Sequence, residues 1–156
     1  MRFGSLRLRR RILSRAFFAF MLPLTLLYLP AQDLDLKKTK SVAESQHEIV
    51  IILLGKKEFV RAQEEANKIF QMKWPQSQEP VLLKELLWFS DKFLDSGQPE
   101  LAVRLLETNL STFKDNGSKA AIWKEKGYLL KRMGQDDKAL DCFREAQRLE
   151  KIKLRP

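Results

Sequence analysis

The chain has 156 residues, a net charge of +9, one cysteine and one histidine, with 44% apolar and 31% charged residues. That balance suits one folded domain with or without a targeting segment, and six glycines with six prolines exclude collagen-like and Pro/Gly-rich disordered chains. A single Cys and a single His exclude an internal disulfide framework, a Cys-rich metal site and a multi-histidine metal centre.

The charge is unevenly placed. Residues 1–40 carry nine Lys/Arg against Asp33 and Asp35, whereas residues 41–156 carry 20 basic against 18 acidic residues. A nucleic-acid binder concentrates positive charge on its folded part, so no nucleic-acid partner is expected.

Arg2 to Arg15 is basic without an acid, and Ala16–Ala31 (AFFAFMLPLTLLYLPA) holds no charge. A basic segment before an apolar core is the layout of a signal peptide or a membrane anchor. As an anchor, the sixteen apolar residues span about 24 Å of a ~30 Å hydrocarbon layer. Adding Ile12–Arg15 extends the membrane contact to residues 12–31, with Arg15 placed to snorkel. As a signal, cleavage would fall at Ala31–Gln32. The expected division is residues 1–31 as basic region plus anchor or signal, 32–40 as linker, and 41–156 as the folded domain. Positive charge stays on the cytoplasmic side, so the domain is expected across the membrane, periplasmic or luminal.

Beyond the linker, Ser41-x-x-Glu44 reads as a capping box opening a first helix. Apolar periodicity and turn residues give six helices, near 41–54, 58–73, 80–95, 99–114, 119–132 and 136–150. They pair. In the last pair the order is Trp123, Gly127, Gly134, Ala139, Phe143, Ala146. Gly134 supplies a left-handed helix end. Small residues at Gly127 and Ala139 let two antiparallel helices approach, and Phe143 and Ala146 continue the Ala139 stripe. Ser90, Gly97, Ala102 and Leu106 repeat that order 37 residues earlier, and Ala62, Ala66 and Ile69 lie 40 residues before Ala102, Leu106 and Asn109. The first turn, Lys56-Lys57-Glu58-Phe59, has no glycine.

With these residues in place the chain resembles the tetratricopeptide repeat family. The likeness is strongest in the last repeat and departs at Lys126, at Lys151, at Leu86 in the tryptophan slot of the middle repeat, and at Val50 where the first repeat should have a small residue. It implies an all-α fold: three helix-turn-helix repeats, near 43–74, 83–114 and 119–151, stacked as a short right-handed solenoid. It also implies a concave groove that docks segments of other proteins. Carried over, that groove presents Glu44, His47, Ile51 and Leu54 from the first repeat. The second adds Lys84, Leu87, Asp91 and Leu94, and the third adds Ala121, Lys124, Tyr128 and Lys131. Members that grip a C-terminal carboxylate use a lysine, asparagine and arginine clamp. Of the residues in those places only Lys124 suits the task, and Asp91 opposes it, so a chaperone tail is not the expected cargo.

No catalytic constellation appears. His47 stands alone, Cys142 adjoins the apolar Phe143, and Glu64–Glu65 and Asp136–Asp137 are adjacent pairs that diverge around a helix. No phosphate loop or metal spacing is present, and no cofactor is expected. The expected protein is a non-enzymatic interaction module held at a membrane, with another protein or complex in or near that membrane as partner. The alternatives are a free periplasmic or luminal binding protein after signal cleavage, and an assembly factor of the mitochondrial inner membrane. Leu140, Leu149, Ile152 and Leu154 lie at the C-terminal end with no later helix to cover them, so self-association through that end is a further expectation.

Overall fold

The structure, a computed structural model, describes residues 29–153. The chain divides into two compact units, residues 1–35 and 36–156. The basic and apolar segment of residues 1–28, with most of the expected membrane contact, lies outside the described residues. Among the described residues no helix is long and apolar enough to cross a membrane.

Every regular element described is helical: α1 (Leu29–Gly55), α2 (Phe59–Gln71), α3 (Glu79–Asp95), α4 (Pro99–Asn109), α5 (Asn116–Arg132) and α6 (Asp136–Lys153), with short 3-10 turns at Gln76–Gln78 and Leu110–Thr112. The six helices fall where the sequence places them, with corrected ends. Residues 32–40 are helical, so α1 starts well before the expected linker ends. The capping box fails for that reason: Ser41 lies inside α1, and its carbonyl accepts a hydrogen bond from Ser45 Oγ at 3.1 Å. α4 ends at Asn109, because the following 3-10 turn swings Phe113 into the core, where it is fully buried. α5 starts early, at Asn116, because the Asp115 side chain accepts from Ser118 N at 2.9 Å and caps the helix.

Three helix ends share one construction. Glu58 N donates to Leu53 O and Lys57 N to Leu54 O; Gln98 N donates to Phe93 O and Gly97 N to Leu94 O; Gln135 N donates to Leu130 O and Gly134 N to Lys131 O. Each is a paired six-to-one and five-to-two closure around a left-handed residue, with φ 61° at Lys57, 72° at Gly97 and 71° at Gly134. In each, the next helix places an alanine at the same register: Ala62, Ala102 and Ala139 donate to the carbonyls of Glu58, Gln98 and Gln135, and all three are buried.

The main core runs through the first two hairpins into α5, with Phe70, Leu86, Phe89, Phe93, Leu105, Leu106, Phe113, Ile122 and Leu129 in one cluster. Burial of each large side chain contributes about 1.5–3 kcal/mol. Buried polar groups tie α2 to α4: Gln63 donates to Leu101 O at 3.0 Å, and Asn109 Nδ2 donates to Asn67 Oδ1 at 2.7 Å. The buried Glu79 carboxylate accepts from the Lys114 and Asp115 N–H groups at 3.1 and 2.9 Å, fixing the α4–α5 connection to the start of α3. The last hairpin packs through smaller clusters, one of Ala120, Ala146 and Leu149 with Trp123, the other of Leu130, Ala139 and Cys142 with Phe143.

Two expectations change here. The close approach at Gly127 is made against Phe143: a Cβ at Gly127 would stand 2.7 Å from Phe143 Cε1. At the C-terminal end Leu149 is buried under Trp123, while Leu140 and Ile152 remain exposed. Leu154 lies outside the described residues.

Candidate functional site

The residues expected to shape the repeats and those expected to line a groove separate by burial. Ala62, Ser90, Ala102, Gly127, Ala139 and Ala146 are buried, Trp123 and Phe143 are half-buried, and Gly97 and Gly134 sit in the exposed turns. Not one groove residue is buried: Glu44, Lys84, Asp91, Tyr128 and Lys131 are exposed, and His47, Ile51, Leu54, Leu87, Leu94, Ala121 and Lys124 are half-buried. Leu54, Leu87 and Leu94 also lean on the main core, which fixes their positions.

The groove residues do not form one continuous set. His47 of the first hairpin turns toward α3. His47 Nδ1 meets Glu85 Oε1, and its ring stacks on Trp88 with centroids 4.9 Å apart and lies 5.2 Å from Phe89. Lys124 and Tyr128 of the third hairpin turn toward α6. Lys124 Nζ pairs with Glu150 Oε1 at 2.5 Å, which holds its pKa above the ordinary lysine value, and Tyr128 packs edge-on to Phe143 at 5.1 Å. On α5, the side facing α3 carries Ile122, Leu129 and Glu125 instead. Burial pushes the Glu125 carboxyl above its ordinary pKa, and the Asp91 charge adds to the rise. The fully buried Ser90 hydroxyl is near enough to offset that rise slightly but does not reach hydrogen-bond geometry.

Among the cavities of the described residues, two take in residues expected of the groove or of the repeat pattern. One, of about 380 Å³, lies between α1 and α3 and is closed at its base by Ile69 and Trp74. It takes in Glu44 and His47 from the expected groove, together with Ala43, Val81, Leu82 and Glu85. Trp74 is fixed there by its indole N–H, which donates at 2.7 Å to the Ile69 carbonyl near the end of α2, an oxygen that also accepts from Met72 N at 3.4 Å. The other cavity, of about 690 Å³, lies between α4, α5 and α6. It explains Lys126. Its side chain is only 18% exposed, pairs with Glu107 at 2.7 Å, and lies 4.8 Å over the Trp123 ring. A long amphipathic side chain there packs its stem against the cavity wall and keeps its ammonium at the rim. Cys142 lines the same cavity; it is buried, and that burial raises its thiol pKa.

Sequence reasoning missed Glu85, Trp74, Trp88, Glu125 and Glu107. Glu85, Trp88, Glu125 and Glu107 meet their partners on another helix, so no local spacing marks them, and Trp74 bonds Ile69 five residues away from a connection that carries no helical periodicity. No cluster of three or more His, Cys, Asp or Glu side chains suited to a metal occurs among the described residues.

Compared with known proteins, the chain matches no family model, no curated protein and no solved structure.

Proposed function

We propose that this chain is a tetratricopeptide-type interaction module, three helical hairpins stacked as a short right-handed solenoid. In this reading its basic and apolar N-terminal segment holds it to a membrane, on the non-cytoplasmic side, and it docks a partner protein on the face shared by α1 and α3. The carrying observation is the recurrence of one turn geometry with one buried alanine register, at spacings of 40 and 37 residues. A unit repeated in that way stacks rather than folding around a single centre, and stacked hairpins leave an extended face for a peptide or helix. The half-buried, core-braced apolar side chains Leu54, Leu87 and Leu94, interspersed with exposed polar groups, suit that role. An uncleaved anchor is favoured over a cleaved signal by α1, whose helix continues without a break through Ala31–Gln32.

The test is a photo-crosslinkable amino acid placed in the full chain, in its native membrane, at Lys84 on the groove side or at Arg104 on α4. A discrete adduct from Lys84 and none from Arg104 is expected. The opposite pattern contradicts the assignment of the face. A reporter active only in the cytoplasm, fused after Pro156, is expected to be silent. Strong activity overturns the orientation.

A further inference from the structure

The cavity between α1 and α3 has a chemistry of its own. Its floor is apolar: Ile69 and Leu82 are almost fully buried, Ala43 and Trp74 are half-buried, and Val81 stands exposed at the mouth. Its rim is acidic. Glu44 and Glu48 lie one turn apart on α1 and Glu85 faces them from α3, against Lys40 alone among the fixed cations lining the cavity. Glu85 is engaged by His47, whereas Glu44 and Glu48 have no salt-bridge partner among the described residues. Two carboxylates left open above an apolar recess repel an acidic or purely anionic ligand. They complement a side chain with an aliphatic stem and a cationic head, which buries the stem while the head stays at the wet rim. The volume fits one long side chain and is too small for a compact domain or a lipid chain pair.

From this complementarity we infer that the cavity receives an arginine or lysine side chain of the partner polypeptide, one flanked by apolar residues. The inference rests on the proposed docking face and deepens it: the partner segment is basic and amphipathic at the α1–α3 end of the groove. Its stem packs on Ile69, Leu82 and Trp74, and its head is held between Glu44 and Glu48. Exposed carboxylates act modestly and are screened by salt, so the preference is one of selectivity more than of strength.

The test uses the full chain in detergent with the probe n-butylguanidinium, read by methyl NMR shifts at Ile69, Val81 and Leu82. Pentanoate and pentanol serve as the anionic and neutral comparisons. Saturable shifts with n-butylguanidinium are expected, with about tenfold weaker binding of pentanoate. Glu44→Gln combined with Glu48→Gln is expected to weaken the cation about threefold to tenfold, leave pentanol binding unchanged and leave the melting temperature unchanged, because neither residue is buried. Equal binding of the three probes, or a double variant that binds the cation as well as the parent, overturns the inference and leaves an unselective apolar recess. So does the absence of any saturable shift. If the Lys84 adduct persists while the probe fails, only this inference falls; if the Lys84 adduct is also missing, the docking face falls with it.

Discussion

The first and third hairpins solve one geometric problem with opposite residues. Between α5 and α6 the close approach is made by Gly127, whose missing side chain admits the Phe143 ring. The equivalent positions in the first hairpin hold Val50 and Ala66, and in the second Ser90 and Leu106, and all four are fully buried. At these sequence-equivalent positions a larger residue on the first helix goes with a smaller one on the second, the exchange that two side chains sharing one space require. The turns show the same exchange. Gly134 adopts its left-handed conformation without steric cost, whereas Lys57 holds nearly the same φ despite its Cβ. The hairpin is therefore specified by helix register and paired volumes, and no single signature residue is required for it.

The severest way to break this likeness is to fill an alanine slot. Ala102, fully buried in the middle hairpin, replaced by Trp is expected to cost about 3 kcal/mol or more, through overpacking against the main core. Thermal unfolding of the full chain in detergent, followed by circular dichroism, measures it. An unchanged melting temperature would mean that this register does not set the helix contact.

A milder test exchanges the turns. Gly134→Ala is expected to lose about 1 kcal/mol and Lys57→Gly to gain about as much, since only the cost of a side chain at positive φ changes. No atom beyond its chain neighbours lies within 4 Å of a Cβ built at Gly134, so the loss is the local backbone strain of positive φ and includes no clash with a packed side chain. Urea titrations would show it. The same sign for both substitutions would mean that the two turns are not equivalent.

The smallest expected effect concerns the α3–α5 contact, where the second hairpin meets the third. Glu125 has a raised pKa in the fold, from burial first and Asp91 second. A carboxyl whose folded pKa is raised binds its proton more tightly in the folded state. Its contribution is therefore present below the ordinary carboxylate pKa and is lost as pH rises through the raised value. Glu125→Gln is expected to leave stability unchanged in acid and to raise it slightly at neutral pH, flattening the pH profile of the melting temperature. A variant less stable than the parent at neutral pH would mean that the charge is held by a favourable partner.

Much of this was legible in the residues, for local reasons. Gly97, Gly134, Ala102 and Ala139 mark turn and register because their roles depend on neighbours a few positions away in the chain. Val50 read as a defect of the first repeat, since the compensating Ala66 has meaning only when the two are paired. Ser41-x-x-Glu44 has the composition of a helix start, but composition alone does not tell a cap from a serine inside a longer helix. The cavity was half legible: Glu44 and His47 come from register, while Glu85 and Val81 reach it on α3 and Trp74 from the connection that precedes α3. Lys124 and Tyr128 share the register of the groove, yet their partners Glu150 and Phe143 draw them to α6. Leu149 was misplaced for the same reason, its cover being Trp123 from the preceding helix.

The shared register is tested most directly by a double-mutant cycle on its tightest pair. Gly127→Ala puts a Cβ against the Phe143 ring and is expected to cost about 1–2 kcal/mol alone, and Phe143→Leu to cost about 1 kcal/mol through lost packing. Together they recreate the small–leucine pairing of Ser90 and Leu106, and the double variant is expected to be more stable than the sum of the two losses by about 1 kcal/mol. Strictly additive losses would contradict the account, because they would mean that the two positions do not share a contact and that the paired volumes of the three hairpins are coincidental.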